Sequence, residues 1–315
     1  MSQTRWRILF AEPFAAQAVA RMREIGEVRE LTNCDESDLV NAVADCDALL
    51  IRTYSRVTRR VLEAAPRLRV IGRGGVGLDN VDLEAARERG VTVVYTPGAA
   101  TEGVADLTFA LMLALVWDLR GCDAGVRGGR FGETRAVVVP RGLHALTLGI
   151  IGLGRIGKAV ARRAIHGFGM SVLFNDIVDP GPLDFSATRV EKDRLYAESD
   201  VISLHVPLTD TTRGLIGEST LARFKPGAVL INTSRGAVVD SYALDHALRS
   251  GRLGGAGLDV FDPEPLPADH PLLSAPNTVF TPHVGARTAL AQERMNAVVE
   301  DVIRVLQGLA PQYSA

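Results

Sequence analysis

A chain of 315 residues, 47% hydrophobic and 23% charged, is too long for one ordinary core and has the composition of a globular protein of about two domains. Its formal charge of −2 offers no electrostatic case for binding nucleic acid or a bilayer surface. Cys34, Cys46 and Cys122 are few and widely spaced, which excludes a disulfide framework or a cysteine metal site and makes a reducing cytoplasm the expected home.

The first strand-like run, Arg7-Ile-Leu-Phe10, comes so early that no secretory leader is expected before it. Further short apolar runs lie at Ala48–Ile51, Arg69–Ile71 and Val91–Val94, with amphipathic stretches such as Ala15–Ile25 and Arg59–Ala65 between them. That alternation predicts a parallel sheet covered by helices. The segment from Val104 to Trp117 is apolar nearly all round, yet too short to cross a membrane. A helix of this kind must be covered on all sides, either as a core helix or also against a second subunit. Residues 120–145 are rich in Gly and Arg and weakly patterned, and are expected to form an extended connection.

The alternation restarts at Leu146. Leu146–Ile151 reads as a buried parallel strand, and Lys158–Ile165 as a helix. Between them lies Gly152-Leu-Gly154-Arg155-Ile156-Gly157, and Asp176 follows the next apolar run, Ser171–Phe174. Gly152 permits a tight turn, Gly154 lets backbone approach a pyrophosphate, and Gly157 lets helix and strand pack closely. The helix N-terminus offers unpaired N–H groups to phosphates, and Asp176 can accept hydrogen bonds from a ribose diol. Taken alone a GxGxxG run is weak; in this strand–helix–strand–acid context it predicts a dinucleotide site. Strand candidates continue at Val201–Leu204, Val229–Asn232, Gly254–Leu258 and Thr278–Phe280, and a last helix runs from Ala286 to Leu306.

Ligands of open parallel sheets bind beyond the carboxyl ends of the strands. After three successive strands of the second unit come Arg235, then Asp259 and Glu264, then His283. This set suits hydride transfer to or from a 2-hydroxy acid. An imidazole can move the hydroxyl proton near neutral pH, and a neighbouring carboxylate would fix its tautomer and stabilise the imidazolium. A guanidinium matches a substrate carboxylate in bidentate fashion. Taken singly, each residue is equally compatible with an ordinary loop position; their joint placement carries the reading. His205, ending a strand before Val206-Pro207, is expected to line the cofactor site without doing chemistry. No Cys/His cluster suggests a metal.

Six blocks in order carry a resemblance to the D-isomer-specific 2-hydroxyacid dehydrogenases over essentially the whole chain. They are Val70-Ile-Gly-Arg-Gly-Gly-Val-Gly-Leu-Asp-Asn-Val-Asp82, Leu148-Gly-Ile-Ile-Gly-Leu-Gly-Arg-Ile-Gly157, Asp200-Val-Ile-Ser-Leu-His-Val-Pro-Leu208, Phe224-Lys-Pro-Gly-Ala-Val-Leu-Ile-Asn-Thr-Ser-Arg-Gly-Ala-Val-Val-Asp240, Gly257-Leu-Asp-Val-Phe-Asp-Pro-Glu-Pro265 and Thr281-Pro-His-Val-Gly285. The resemblance implies an α/β protein of two doubly wound parallel-sheet domains. A Rossmann NAD-binding domain, residues 100–285, would be inserted in a discontinuous flavodoxin-like substrate domain, residues 1–99 and 286–315.

It further implies Arg235, Glu264 and His283 as the catalytic trio. The implied NAD site takes in Gly152, Gly154, Arg155, Ile156, Gly157, Asp176, His205, Val206, Pro207, Thr212, Thr233, Ser234, Arg235, Asp259, His283 and Gly285. Arg52, Ser55, Val76 and Gly77, together with Arg235 and His283, would receive a small-molecule 2-hydroxy or 2-oxo acid. A homodimer built through the nucleotide domain is implied as well. Within the family the likeness is greatest to the catalytic core of the phosphoglycerate dehydrogenases, with glyoxylate or hydroxypyruvate reductases as the alternative. Two rivals of other kinds are an NAD-sensing corepressor similar to the C-terminal-binding proteins and an oxidoreductase acting on formate or phosphite.

Overall fold

The computed structural model describes residues 5–315. They form two compact units, one running up to Ala100 and resumed at Ala286–Ala315, the other Thr101–Gly285.

The first unit contains β1 (Trp6–Phe10), β2 (Gly26–Glu30), β3 (Ala48–Ile51), β4 (Val70–Arg73) and β5 (Thr92–Tyr95). They pair in parallel in the order β2-β1-β3-β4-β5. β3 and β4 are buried at every position, as strands covered on both faces must be, and this is why Ala48–Ile51 and Val70-Ile71 read as apolar runs. β2 has no such signal. Its sequence Gly-Glu-Val-Arg-Glu lies at the sheet edge and is largely exposed, and charge there protects the edge from pairing with another chain. The helix Val298–Leu306 returns to β4 and β5, burying Val298, Val299, Val302, Ile303 and Leu306.

The second unit contains β6 (Thr147–Ile151), β7 (Ser171–Asn175), β8 (Thr188–Arg189), β9 (Val201–Leu204), β10 (Ala228–Asn232), β11 (Leu253–Leu258) and β12 (Thr278–Phe280). Their order is β12-β11-β10-β9-β6-β7-β8, parallel throughout. The chain builds outward from β6 to β8, crosses back, and builds the other way from β9 to β12. The reversal between β6 and β9 is the topological switch point at which such sheets bind dinucleotides. The two doubly wound parallel sheets expected from the alternation are both present.

One expectation for the segment between the sheets needs correction. Residues 120–145 do not run as an extended connection; they form the helices Leu119–Arg127 and Phe131–Val137. Glycine at Gly125 permits this, since a Cβ there would collide with Thr134 of the second helix. The apolar helix, Thr101–Val116, is not covered all round within its unit. Gly103, Val104, Ala105, Thr108, Phe109, Leu111 and Met112 are buried, in a helix that packs on Arg155–Arg162, β10 and β11. Leu113–Val116 are only partly buried, and Trp117 and Leu119 are exposed. Among the described residues no helix is long and apolar enough to cross a membrane.

The amino ends of β6 and β9 are tied by one carboxylate. Asp200 accepts from Thr147 N (2.9 Å), Lys225 Nζ (2.8 Å) and Arg141 Nη1 (2.8 Å). Burial opposes its ionisation, but these donors outweigh burial and hold its pKa below the ordinary value. A carboxylate with a depressed folded pKa stabilises the fold above its unfolded pKa and loses that contribution as pH falls through the folded value. Asp200→Asn is therefore expected to cost about 2 kcal/mol at neutral pH, because it removes the charge that pairs with Lys225 and Arg141 and leaves one carbonyl acceptor for three donors. Urea unfolding at pH 7 and again below about pH 3.9 checks this: the gap between wild type and variant narrows at the lower pH.

Candidate active site

The glycine loop follows β6. Gly152 has φ +92°, and a Cβ there would stand 2.5 Å from the His205 carbonyl oxygen, so the turn and its contact with the end of β9 both require glycine. Gly154 precedes the helix Arg155–Arg162 without a side-chain cap. A Cβ at Gly154 would meet nothing within 4 Å. The loop thus presents open space, bare of side chain, at an uncapped helix N-terminus whose first residues are Arg155 and Ile156. That is the cradle a pyrophosphate needs. Gly157 lies against the Gly152 carbonyl.

Asp176 stands just past β7. Its Oδ2 accepts from Leu153 N (2.6 Å) and its Oδ1 from Val178 N (2.9 Å), so it holds the glycine loop. Each oxygen keeps a second lone pair for a diol. Lys158 Nζ donates to the Pro180 carbonyl (2.7 Å) and Arg189 Nη2 to the Asp176 carbonyl (2.8 Å), so two cations that the local sequence does not announce lie beside this loop, each engaged with backbone.

His205, Val206 and Pro207 follow β9. The His205 Nε2 lies 2.9 Å from Ser203 Oγ, while its buried Nδ1 has no hydrogen-bond partner. Burial pushes its pKa down to about 3, so the ring is neutral at physiological pH and unsuited to cycling a proton there. Thr212 Oγ1 donates to the Pro207 carbonyl (2.6 Å), closing the loop after β9 on itself.

Beyond β10 the backbone is shaped by Asn232, a residue the sequence reading did not single out. Its Oδ1 accepts from Ser234 N (3.0 Å) and Ser234 Oγ (2.7 Å), and its Nδ2 donates to the Arg235 carbonyl (2.9 Å). Thr233 Oγ1 lies 3.3 Å from Thr108 Oγ1. Arg235 Nη1 donates to the Ser234 carbonyl (2.8 Å). Gly236 lets this turn meet the next loop, since a Cβ there would overlap the Phe261 carbonyl. A buried Asn at a strand end followed by Gly is the signal that could have found this turn.

Glu264 and His283 meet across the loops after β11 and β12. His283 Nδ1 is 2.8 Å from Glu264 Oε2, and Glu264 Oε1 accepts from Phe261 N (2.9 Å). Burial opposes ionisation of Glu264, but the bond to His283, the Phe261 N–H and the charges of His283 and Arg235 prevail and hold the carboxyl below its ordinary range. His283 itself has φ +52°, the left-handed region. A non-glycine residue stays there only when its surroundings fix it. Asp259 does the fixing: its carbonyl accepts from His283 N (2.8 Å), Oδ1 from Val284 N (2.8 Å) and Thr281 Oγ1 (2.6 Å), and Oδ2 from Gly285 N (2.9 Å). Asp259 is 2% exposed, and its side chain is committed to building the His283 loop.

Arg235, Glu264 and His283 are therefore brought together at the carboxyl ends of β10, β11 and β12. Arg52, Ser55, Val76 and Gly77 belong to the first unit, after β3 and β4. Ser55 is buried, whereas Arg52, Val76 and Gly77 are partly exposed.

Residues 109–285 match the family model described as D-isomer specific 2-hydroxyacid dehydrogenase, NAD binding domain. The chain is 40% identical over 306 residues to a D-3-phosphoglycerate dehydrogenase of Methanocaldococcus jannaschii, a match covering 96% of this chain and 58% of that protein, so this chain spans little more than half of that relative. It is 42% identical over 278 residues to a glyoxylate reductase of Korarchaeum cryptofilum, covering 87% of this chain and 83% of that one. A crystal structure of a Thermus thermophilus protein superimposes with a TM-score of 0.89 at 41% identity, covering 98% of this chain and 99% of the other. The chain belongs to the D-isomer specific 2-hydroxyacid dehydrogenase family.

Proposed function

We propose that the protein is an NAD-dependent dehydrogenase interconverting a D-2-hydroxy acid and its 2-oxo acid, with 3-phosphoglycerate as the leading substrate. The observation that carries the chemistry is the 2.8 Å contact of His283 Nδ1 with Glu264 Oε2 beside Arg235. Nδ1–H donates to Glu264, which leaves Nε2 to exchange a proton with the substrate oxygen. Arg235 holds the substrate carboxylate and the oxygen on which charge grows. Glycine loop, helix N-terminus and Asp176 hold the dinucleotide. When bound, NAD(H) supplies the hydride chemistry. In reduction, C2 of the oxo acid gains a hydride, its oxygen gains the proton from His283, and Glu264 stabilises the imidazolium until it is lost. His205, neutral at working pH, leaves His283 as the proton carrier.

Phosphoglycerate is favoured by the resemblance of the first unit, in which Arg52 and Arg56 are the candidate phosphate contacts. Glyoxylate or hydroxypyruvate reduction is the second reading, carried by the relative named as a glyoxylate reductase. The assembly we propose is a homodimer. Phe131, Val137 and Val139 are 61%, 78% and 86% exposed, and Trp117 and Leu119 are exposed as well, so this stretch of the second unit carries several uncovered apolar side chains. The three cysteines are free, which suits a cytoplasmic setting.

His283→Ala is expected to lower turnover by roughly 10²- to 10⁴-fold with little change in dinucleotide affinity, and Glu264→Gln to displace the pH–rate profile. Arg235→Lys should impair binding and chemistry together for hydroxypyruvate, glyoxylate and the phosphorylated three-carbon oxo acid. Steady-state kinetics on that panel test the function; normal turnover by His283→Ala refutes the mechanism, and the preferred acid separates the two substrate readings.

Cofactor choice follows from Asp176, which repels a 2′-phosphate, and from Ile177-Val-Asp-Pro180, which contributes no cation. Catalytic efficiency should be higher with NADH than with NADPH, and Asp176→Ser should narrow the difference. Equal efficiency in the wild type refutes the assignment.

Light scattering at micromolar concentration should give a dimer, and Phe131→Glu with Val137→Glu should yield a monomer. A monomeric, fully active wild type refutes the assembly.

A further inference from the structure

In the first unit, the four residues after β3 have an unusual arrangement. Arg52, Thr53, Tyr54 and Ser55 all direct their backbone N–H groups at one side chain, the carboxylate of Glu12. Oε1 accepts from Arg52 N (2.8 Å) and Ser55 N (2.9 Å), and Oε2 from Thr53 N (3.1 Å) and Tyr54 N (3.1 Å). Four convergent N–H groups make an anion-binding nest, and here the chain fills it from within. Glu12 is 7% exposed. A buried carboxylate is costly unless hydrogen-bonded, and each of its oxygens is bonded twice.

The carbonyls of the same segment are held from the other side. Asn80 Nδ2 donates to the Arg52 carbonyl (3.0 Å) and to the Ser55 carbonyl (2.8 Å). Glu12 follows β1 and Asn80 follows β4, the strands flanking β3. The loop is thus clamped at both its donors and its acceptors by the ends of its two neighbours. The clamp aims the Arg52 side chain, whose Nη2 donates to Gln292 Oε1 (2.8 Å) and whose guanidinium lies 5.3 Å from the centre of the Phe14 ring.

We propose that Glu12 is a positioning residue for substrate recognition: its carboxylate sets the conformation of Arg52–Ser55 and thereby fixes the first-unit groups that receive the substrate. This rests on the reading that Arg52 and Ser55 contact a 2-oxo acid. Glutamine at this position keeps the length but replaces one acceptor with an amide donor facing N–H groups. Aspartate keeps both acceptors but sets them back by one methylene.

The test is steady-state kinetics of the full chain with Glu12→Gln and Glu12→Asp, varying hydroxypyruvate, glyoxylate and the phosphorylated three-carbon oxo acid, and separately NADH. Glu12→Gln is expected to raise the oxo-acid KM by roughly tenfold to a hundredfold, the worth of charge-assisted hydrogen bonds and of a small misplacement of binding groups. The KM for NADH should stay at its wild-type value, and Glu12→Asp should recover part of the loss. A merely structural glutamate would lower the melting temperature and leave that split unmoved. Unchanged oxo-acid KM in a folded Glu12→Gln variant overturns the inference. Should that variant not fold, Glu12→Asp and amide hydrogen exchange of the wild type decide: Thr53 and Tyr54 N–H must exchange as slowly as those of β3, and exchange at free-chain rates overturns it. A wild type inert towards every oxo acid refutes the proposed function instead, a result distinct from an active wild type with an indifferent Glu12.

Discussion

Backbone N–H groups released at the end of a parallel strand must find acceptors, and this protein supplies them with carboxylates. Asp176 takes Leu153 and Val178, Asp259 takes Val284 and Gly285, and Glu12 takes the whole segment Arg52–Ser55. Asp301 does the same for Gln312 and Tyr313. Except for Val178, which follows Asp176 in the same loop, the acid lies on one element and the amides on another. A single side chain then settles where a loop sits relative to its neighbour, at a place where the sheet ladder no longer can.

The chemistry inherits that order. His283 holds a left-handed backbone because Asp259 bonds to its own N–H and to the residues on either side. With the backbone fixed, Nδ1 falls against Glu264, which is itself oriented by Phe261 N–H. The two imidazoles of the region have opposite surroundings. His205 meets a hydroxyl and otherwise burial, which favours the neutral ring; His283 meets a carboxylate held in its charged form. The same residue type thus meets two different electrostatic environments in one unit.

A shared scaffold does not choose a substrate. Relatives of similar identity carry the names of a phosphoglycerate dehydrogenase and a glyoxylate reductase. The family alone therefore does not fix which acid is used; within the first unit, the loop after β3 begins with an arginine whose backbone is held by Glu12 and whose side chain donates to Gln292.

Much was legible in the residues alone. Strands buried on both faces are mostly apolar because a polar side chain there needs a partner of its own, so β3, β4, β6, β9 and β10 stand out even though Arg73, Ser203 and Asn232 are buried in them. The Rossmann glycines are legible because turn, phosphate and helix each forbid a side chain. β2 and β8 escaped, since an edge strand is largely exposed and needs no apolar pattern. The helices at Leu119–Arg127 and Phe131–Val137 escaped because their glycines weaken the helical signal and almost none of their residues is buried, Gly125 in the first and none in the second. Arg235, Glu264 and His283 could be named from their positions after successive strands. Their contact could not, nor could the work of Asn232, Asp259 and Glu12. A carboxylate in a sequence does not show which amides it will meet; Glu12 finds its partners 40 to 43 positions away, and only the folding of β1 beside β3 brings the acceptor to its donors.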